Sequence, residues 1–314
     1  MTSRAEKLEC PACKSRTLAI LGRIPSAVMF AGRQLDTPMP GGGLYRCDRC
    51  KLGFRHPRLS KRKLDDLYRQ GLDNTWSTGE LGDRNDWNIA HQWIHEHLSS
   101  GRVLDVGCFD GTFLARLGQQ YQKFGVEIHS GAAKCAADKG VNLVATDLAE
   151  LSSVGDVYDV VVSFDVIEHV ANPREFLFQL VGLTSEQGML IVSTGNLDSV
   201  TRRFMGSRYW YCAIPEHLSF VSLKWFRAIA PDLGFRIVRE FYFSHMNTSL
   251  RTKAGQLFKN LGYRVSPTFA GWLRSCGVAG KLPVSIHREL REMPPSWIAA
   301  RDHFLVVLEK VQHP

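Results

Sequence analysis

The stretch Val103-Leu104-Asp105-Val106-Gly107-Cys108-Phe109-Asp110-Gly111-Thr112-Phe113-Leu114 decides the fold of this 314-residue chain. Its apolar beginning predicts a β-strand that is buried on both faces. The two glycines that follow allow the backbone to turn sharply and to approach a ligand closely where the next helix begins. A strand that enters a glycine turn and opens a helix is typical of a nucleotide-binding site.

Acidic residues mark the ends of this strand and of three later predicted strands. Asp105, Glu127, Asp147 and Asp165 are separated by 22, 20 and 18 residues, which is the length of successive strand and helix units in a parallel sheet. The carboxyl ends of parallel strands meet at one edge, where ligands of open α/β sheets bind. The spacing therefore predicts one cofactor site lined by four acidic residues.

The chemistry of these residues indicates what the ligand is. Glu127 is placed to accept hydrogen bonds from two ribose hydroxyls, as the acidic residue of a dinucleotide fold does. The glycine turn lacks the G-x-G-x-x-G pattern that lets a backbone hold a pyrophosphate. We therefore expect a nucleoside ligand without a pyrophosphate bridge.

These motifs resemble those of the class I S-adenosylmethionine-dependent methyltransferases. Residues 105–111 resemble the first motif of that family, with Phe109 where a glycine is usual, and residues 163–170 resemble its fourth-strand motif. The resemblance covers roughly residues 85–245 and implies an α/β Rossmann-like fold with S-adenosyl-L-methionine as cofactor. The residues that it assigns to cofactor binding are Asp105, Gly107, Cys108, Asp110, Gly111, Glu127, Ile128, Asp147, Leu148, Phe164 and Asp165.

Four cysteines form two C-x-x-C pairs near the N-terminus. Cys10 and Cys13 make the first pair, Cys47 and Cys50 make the second, and 33 residues separate the two pairs. Two such pairs provide the closed four-sulfur shell of a structural zinc site, with no position open for a catalytic water. We expect Zn²⁺ to stabilise this short, glycine-rich segment, and its removal to unfold residues 8–56.

The chain is predicted to contain five segments in sequence order. They are a zinc ribbon over 1–60, lid and linker helices over 61–98, the Rossmann-like cofactor-binding core over 99–243, a basic helical insertion over 244–300 before the last strand, and the last core strand over 301–314.

Charge is distributed unevenly along these segments. Residues 1–70 carry a net charge of +9, residues 71–244 of −7 and residues 245–300 of +6. The basic segments could present a positive rim to an anionic acceptor. No secretory signal or membrane-spanning apolar run is visible, and the remaining cysteines fit free thiols of a reducing compartment. We expect a cytoplasmic protein.

Candidate catalytic residues lie after the fourth and fifth strands. Glu216 and His217 follow three aromatic residues, and a histidine of near-neutral pKa beside a carboxylate suits removal of a proton from a hydroxyl or an acidic C–H group. His169 is a second candidate. The alternative is that residues 215–217 begin the next element and that His217 has a structural role.

The zinc ribbon followed by this core and by Glu216-His217-Leu218-Ser219-Phe220 is similar to bacterial methyltransferases of sugar-modification and polysaccharide pathways. The resemblance implies that His169, Glu216 and His217 act on the acceptor, a sugar nucleotide, a glycan or a related anionic small molecule. Those enzymes continue into a further α/β domain, whereas this sequence stops at Pro314. The difference counts against a keto-sugar acceptor and C-methylation, and it leaves O-methylation of a sugar or glycan open. The alternatives are an RNA methyltransferase, which makes nucleic acid the less favoured partner, and a non-catalytic cofactor-binding subunit.

Overall fold

The computed structural model describes residues 7–59, 63–64, 67, 84–151, 155–270 and 293–311. The predicted lid residues Tyr68 and Trp76 lie outside these ranges, as does Cys276. Within the described ranges, no helix is long and apolar enough to cross a membrane.

Five strands form the N-terminal ribbon. They are β1 (Leu18–Arg23), β2 (Ala27–Phe30), β3 (Arg33–Met39), β4 (Gly43–Cys47) and β5 (Gly53–His56). The strands β2 and β3 pair as an antiparallel hairpin, whereas β1, β4 and β5 pair antiparallel in one sheet. The two C-x-x-C pairs lie at one end of that sheet, because one pair precedes β1 and the other follows β4.

Eight further strands lie in the described residues after position 84. They are β6 (Gly101–Val106), β7 (Tyr121–Val126), β8 (Asn142–Ala145), β9 (Tyr158–Phe164), β10 (Thr184–Gly195), β11 (Ser219–Phe220), β12 (Phe235–Phe243) and β13 (His303–Lys310). All but β11 form one seven-stranded sheet in the order β12-β13-β10-β9-β6-β7-β8. The strand β13 is antiparallel to both neighbours. The predicted α/β fold with a mostly parallel sheet is confirmed.

Helices lie between the strands of this sheet. They are α1 (Asn85–His97), α2 (Thr112–Ala115), α3 (Ser130–Asp138), α4 (Leu148–Leu151), α5 (Pro173–Leu183), α6 (Val200–Met205), α7 (Trp210–Ala213), α8 (Leu223–Leu233) and α9 (Leu250–Val265). Two apolar cores lie on opposite faces of the sheet. Leu104 belongs to one and Val103 to the other, and both are fully buried, as expected for a strand covered on both faces.

A short strand of the core segment joins the sheet of the ribbon. The strand β11 follows the predicted Glu216-His217 pair and adds to the ribbon sheet, where Ser219 pairs with Phe54 of β5. The buried Arg55 donates from Nη2 to the carbonyl oxygens of Cys212 and Ile214, at 3.0 and 2.8 Å. The ribbon therefore fixes the loop that carries Glu216 and His217. The five segment limits drawn from the sequence stay predictions.

Candidate active site

The glycine turn has the backbone conformation that its sequence predicts. Gly107 and Gly111 have φ angles of +85° and +72°, and the amides of Gly107 and Cys108 donate to the carbonyl oxygen of Val126 at the end of β7. Phe109 also lies in the left-handed region, at φ +48°. A side chain there costs about 1–2 kcal/mol, which gives a physical reason for glycine at this position in the resembling family.

Asp105 lies at the end of β6 and is buried, with 2% of its surface exposed. Its Oδ1 has no hydrogen-bond partner among the described residues. Burial, and next the charge of Glu127, raise the pKa of this carboxyl well above its ordinary value. A buried carboxyl oxygen without a donor is costly, so Asp105 is suited to a ligand that brings a cationic donor.

Glu127 follows β7 and faces the glycine turn. Its carboxylate accepts hydrogen bonds from the amides of Phe109 and His129, at 2.9 and 2.8 Å. These bonds fix the carboxylate at the strand end, and each oxygen keeps a lone pair for a ribose hydroxyl. Ile128 beside it is 69% exposed. The exposed side chain of Ile128 is suited to pack against the flat face of the base, next to the ribose that Glu127 is suited to bind.

Other residues assigned to the cofactor have different surroundings. Cys108 packs in the core beneath the turn, where its Sγ blocks the space beside Gly125. Asp110 accepts from Thr112 and pairs with Lys139 at 2.7 Å, so its carboxylate holds the start of α2. The backbone of these two residues therefore forms the turn, while their side chains make contacts within the protein.

Other residues assigned to the cofactor lie at the ends of β8 and β9. Asp147 accepts from the amide of Ala149 and begins α4, while Leu148 is buried. Phe164 packs edge-on against Phe113, with ring centroids 4.7 Å apart. Asp147 is exposed at the same sheet edge as Glu127 and stays a candidate for the adenine side.

The residues at this edge fit S-adenosylmethionine. The unpartnered Asp105 suits the amino group of its methionine part, and Glu127 suits its ribose. A Cβ on Gly107 would lie 2.5 Å from Cγ2 of Val166, so the turn is closely backed by the segment after β9. The turn after β6 and the segment after β9 therefore lie side by side at this edge of the sheet.

Glu168 lies at the centre of a buried polar network after β9. Its two carboxylate oxygens accept from the hydroxyls of Tyr211 and Thr194, at 2.7 and 2.8 Å. Burial, followed by the charge of Asp165, raises the pKa of Glu168 to about 7. Glu168 lies within residues 163–170, which resemble the fourth-strand motif, but no role was predicted for it from the sequence.

His217 is buried beside this network, with its ring 4.8 Å from the ring of His169. Its Nδ1 lies 2.9 Å from the carbonyl oxygen of Tyr211, so Nδ1 carries the proton and Nε2 keeps a lone pair. Burial, and next the charge of His169, hold the pKa of His217 well below its ordinary value. The expected near-neutral pKa is therefore wrong, because the imidazole is desolvated.

The side chains of Glu216 and His217 point in different directions. Its Oε1 accepts from the amide of Ala31 in the β2–β3 turn, at 2.5 Å. The hydrogen bond of His217 Nδ1 goes to a carbonyl and not to this carboxylate. The two residues lie at a turn, in which the amide of His217 donates to the carbonyl oxygen of Ile214. Glu216 therefore anchors the ribbon, while His217 faces His169.

Asp165 is surrounded by a second set of residues, which were not predicted from the sequence. Arg84 donates from Nη2 to Asp86 and to Asp165, each at 2.6 Å. Although burial raises the pKa of Asp86, the charge of Arg84 lowers it to about 2. His245 Nδ1 lies 3.8 Å from Asp165, and His303 lies nearby with its ring 4.9 Å from that of His245.

His303 is oriented by its neighbour in sequence. Its Nδ1 lies 2.8 Å from Asp302 Oδ1, and Tyr209 donates to the other oxygen of Asp302 at 2.5 Å. Burial lowers the pKa of His303, but the charge of Asp302 outweighs it and raises the value to about 9. The Asp302-His303 doublet before the last strand was the sequence signal for this pair.

The four predicted metal ligands come together in the ribbon. Cys10 Sγ lies 3.5 Å from Cys50 Sγ, and Cys13 Sγ lies 3.5 Å from Cys47 Sγ. A disulfide would need about 2.05 Å, whereas Zn–S bonds of about 2.3 Å in a tetrahedron place sulfurs about 3.8 Å apart. The structure thus contains a tetracysteine cluster with spacing close to that of a metal site.

The pKa of Glu168 predicts a pH-dependent stability. The folded-state value of about 7 exceeds the ordinary 4.5, so the folded state binds more protons between these values and the free energy of unfolding falls as pH rises through that window. The loss amounts to about 3 kcal/mol at most. In thermal unfolding scans, the wild type should lose stability relative to Glu168→Gln between about pH 4.5 and pH 7. A constant difference would contradict the raised pKa.

Comparisons with known proteins identify a family for the middle of the chain. Residues 86–240 match the family model described as a methyltransferase domain. A ubiquinone biosynthesis O-methyltransferase of Rickettsia felis is 36% identical over 155 residues, which are 44% of this chain and 62% of that protein. The corresponding enzyme of Burkholderia pseudomallei strain 1710b is 28% identical over 192 residues, 57% of this chain and 80% of that protein.

One solved structure shows the same fold. It is the complex between the Haloferax volcanii Trm112 methyltransferase activator and its methyltransferase partner, in which one chain aligns with a TM-score of 0.51 at 14% identity, covering 77% of this chain and 96% of that chain. The chain described here spans about three-fifths of the length of the Rickettsia relative. Together with the sheet order and the glycine turn, these matches show that residues 86–240 are a class I S-adenosylmethionine-dependent methyltransferase domain.

Proposed function

We propose that this chain is an S-adenosylmethionine-dependent O-methyltransferase that acts on a hydroxyl of a small molecule. The observation that carries the proposal is the sheet edge where Asp105 and Glu127 lie at the ends of β6 and β7, with His217 buried after β9 and β10. The named relatives are O-methyltransferases, which supports oxygen over carbon as the methylated atom.

The reaction needs little more than alignment and one proton transfer. The bound cofactor supplies an electrophilic methyl group, and an enzyme accelerates its displacement mainly by holding the acceptor in line. A hydroxyl attacks faster when its proton is removed. His217 is assigned as the base, because Nδ1 donates to Tyr211 and Nε2 keeps its lone pair. His169 lies against its ring and positions it.

The class of acceptor has two sources of support. The relatives are named for ubiquinone biosynthesis, which favours a hydroxylated aromatic acceptor. The basic segments 1–70 and 245–300 support an acceptor with a negative charge. A hydroxylated aromatic compound with an anionic group meets both conditions. The sugar nucleotide or glycan acceptor and the cytoplasmic location stay predictions from the sequence.

We also assign one Zn²⁺ to the tetracysteine cluster. Its support is the four sulfurs from two C-x-x-C pairs within 4.8 Å of one another. Such a shell has no open position, so the metal is structural. It stabilises the sheet on which β11 and the loop of His217 are held.

A single substitution tests the cofactor site. Glu127→Ala should weaken binding of S-adenosylhomocysteine by about 1–3 kcal/mol, or roughly 5-fold to 150-fold, because the ribose loses its acceptor. Isothermal titration calorimetry measures this change. Glu186→Ala is the matched control, since that side chain is 74% exposed and lies on the strand β10. Equal affinities for the two variants would refute the role of Glu127.

The acceptor class requires a separate experiment. Purified protein is incubated with methyl-labelled S-adenosylmethionine and cell extract that is divided into aromatic small-molecule, nucleotide-sugar, lipid-glycan, RNA and protein fractions. Label in the aromatic fraction, lost in His217→Ala, supports the proposal. Label in either sugar fraction restores the sequence-based acceptor, and label in RNA alone overturns both.

A further inference from the structure

Three side chains of types that bind metals lie together beside the methyl-transfer site, and only Asp165 among them was assigned to cofactor binding from the sequence. Asp165 follows β9, His245 follows β12, and His303 begins β13. One donor atom from each side chain lies within 4.8 Å of the others. Three separate strands therefore bring one carboxylate and two imidazoles to one point at the carboxyl edge of the sheet.

Two donor atoms in this group are buried and have no hydrogen-bond partner among the described residues. Asp165 Oδ1 and His245 Nδ1 have no hydrogen bond within the described part of the chain. Each buried unsatisfied atom costs about 1–3 kcal/mol. A ligand that both atoms contact would remove this cost, and a carboxylate oxygen and an imidazole nitrogen share a preference for divalent metal ions.

The third donor has the support that metal-binding histidines usually have. His303 Nδ1 is bonded to Asp302, which is held in turn by Tyr209, so Nε2 is left as the ligating atom. A histidine that binds a metal commonly donates its other nitrogen to a carboxylate, which fixes the tautomer and the ring orientation. The hydrogen bonds of Asp302 to His303 and to Tyr209 therefore already fix the ring of His303.

The charges around the group are also unbalanced. The carboxylates of Asp86 and Asp165 bond to the guanidinium of Arg84, and the carboxylate of Asp302 bonds to His303. A bound metal ion requires both imidazoles to be neutral, and the three carboxylates and the guanidinium then carry a net charge of −2. A divalent cation neutralises it. Arg84 bonds to Oδ2 of Asp165 and leaves Oδ1 for the ion.

We propose that Asp165, His245 and His303 form a binding site for one divalent transition-metal ion, distinct from the tetracysteine cluster. Two histidines and one carboxylate on one side of an ion leave its remaining positions open. These positions face the strand ends where the acceptor is proposed to bind, so an acceptor oxygen could occupy one of them. The site itself does not depend on the proposed methyl transfer.

Mn²⁺ is the probe of choice, because it prefers nitrogen and oxygen ligands over thiolates. The full chain, with its ribbon metal retained, is titrated with Mn²⁺, and free Mn²⁺ is measured by electron paramagnetic resonance. We expect one bound Mn²⁺ per chain. His245→Ala and His303→Ala should each weaken its binding at least about tenfold. His97→Ala is the control, since His97 is exposed on α1.

A second set of donors, on Glu168, His169 and His217, lies within the same distance limit and needs its own control. His217→Ala should leave Mn²⁺ affinity unchanged. Binding that is lost in His217→Ala but kept in His245→Ala overturns the proposal, and so does a folded wild type that binds no Mn²⁺. If His303→Ala does not fold, Asp302→Asn provides the test, with weaker Mn²⁺ binding expected at unchanged circular dichroism.

Discussion

Replacing Cys47 by serine is expected to release zinc from the ribbon and to unfold it. Structural zinc contributes its binding free energy to folding, about 10–16 kcal/mol in isolated zinc-binding peptides at neutral pH. The loss extends beyond the ribbon, because Arg55 and Ala31 hold the loop that carries Glu216 and His217. We therefore expect loss of methyl transfer as well as of thermal stability.

Metal content by mass spectrometry and thermal unfolding by circular dichroism measure the two effects of Cys47→Ser. Cys135→Ser is the matched control, since this thiol is exposed on α3 and away from the cluster. Wild type and control should contain one zinc per chain. A Cys47→Ser variant that retains zinc and melts with the control would show that the cluster is not a metal site.

Replacing Gly107 by alanine is expected to remove most cofactor binding. The added Cβ would lie 2.5 Å from Val166 Cγ2, at a backbone φ of +85°. The left-handed backbone costs about 1–2 kcal/mol, and overpacking adds about 1–3 kcal/mol. The turn can relieve this strain only by moving from the position that the cofactor needs. We expect at least about a tenfold loss of affinity.

The matched control for Gly107→Ala is Gly131→Ala. Gly131 lies near the start of α3, and a Cβ there meets no atom within 4 Å. Its affinity for S-adenosylhomocysteine should equal that of the wild type. If Gly107→Ala binds as tightly as Gly131→Ala while both are folded, the glycine turn is not part of the cofactor site.

The fold could be predicted because its signals are local. Each apolar run that ends at Asp105, Glu127 or Asp165 is a strand, and the regular spacing of the acids follows from repeated strand and helix units. The start of α5 is also a local signal, because Asn172 precedes Pro173 and its side chain accepts from the amide of Glu175. Ser222 precedes α8 as expected, but its hydroxyl makes no capping bond.

The acceptor side was harder to predict, since it depends on contacts between distant segments. Arg84 and Asp165 are 81 residues apart in sequence, yet their side chains form an ion pair. Nothing in the sequence around Arg84 indicates that partner. The pairing of Glu216 with His217 was wrong for the opposite reason, because adjacency in sequence does not fix side-chain direction. Glu216 reaches Ala31, which lies 185 residues away.

The central claim is that the edge formed by Asp105, Gly107 and Glu127 binds the cofactor of methyl transfer. Calorimetric titration of the purified full chain with S-adenosylhomocysteine tests it most directly. We predict one site per chain, weakened in both Gly107→Ala and Glu127→Ala. A folded wild-type protein that binds neither S-adenosylhomocysteine nor S-adenosylmethionine would contradict the account.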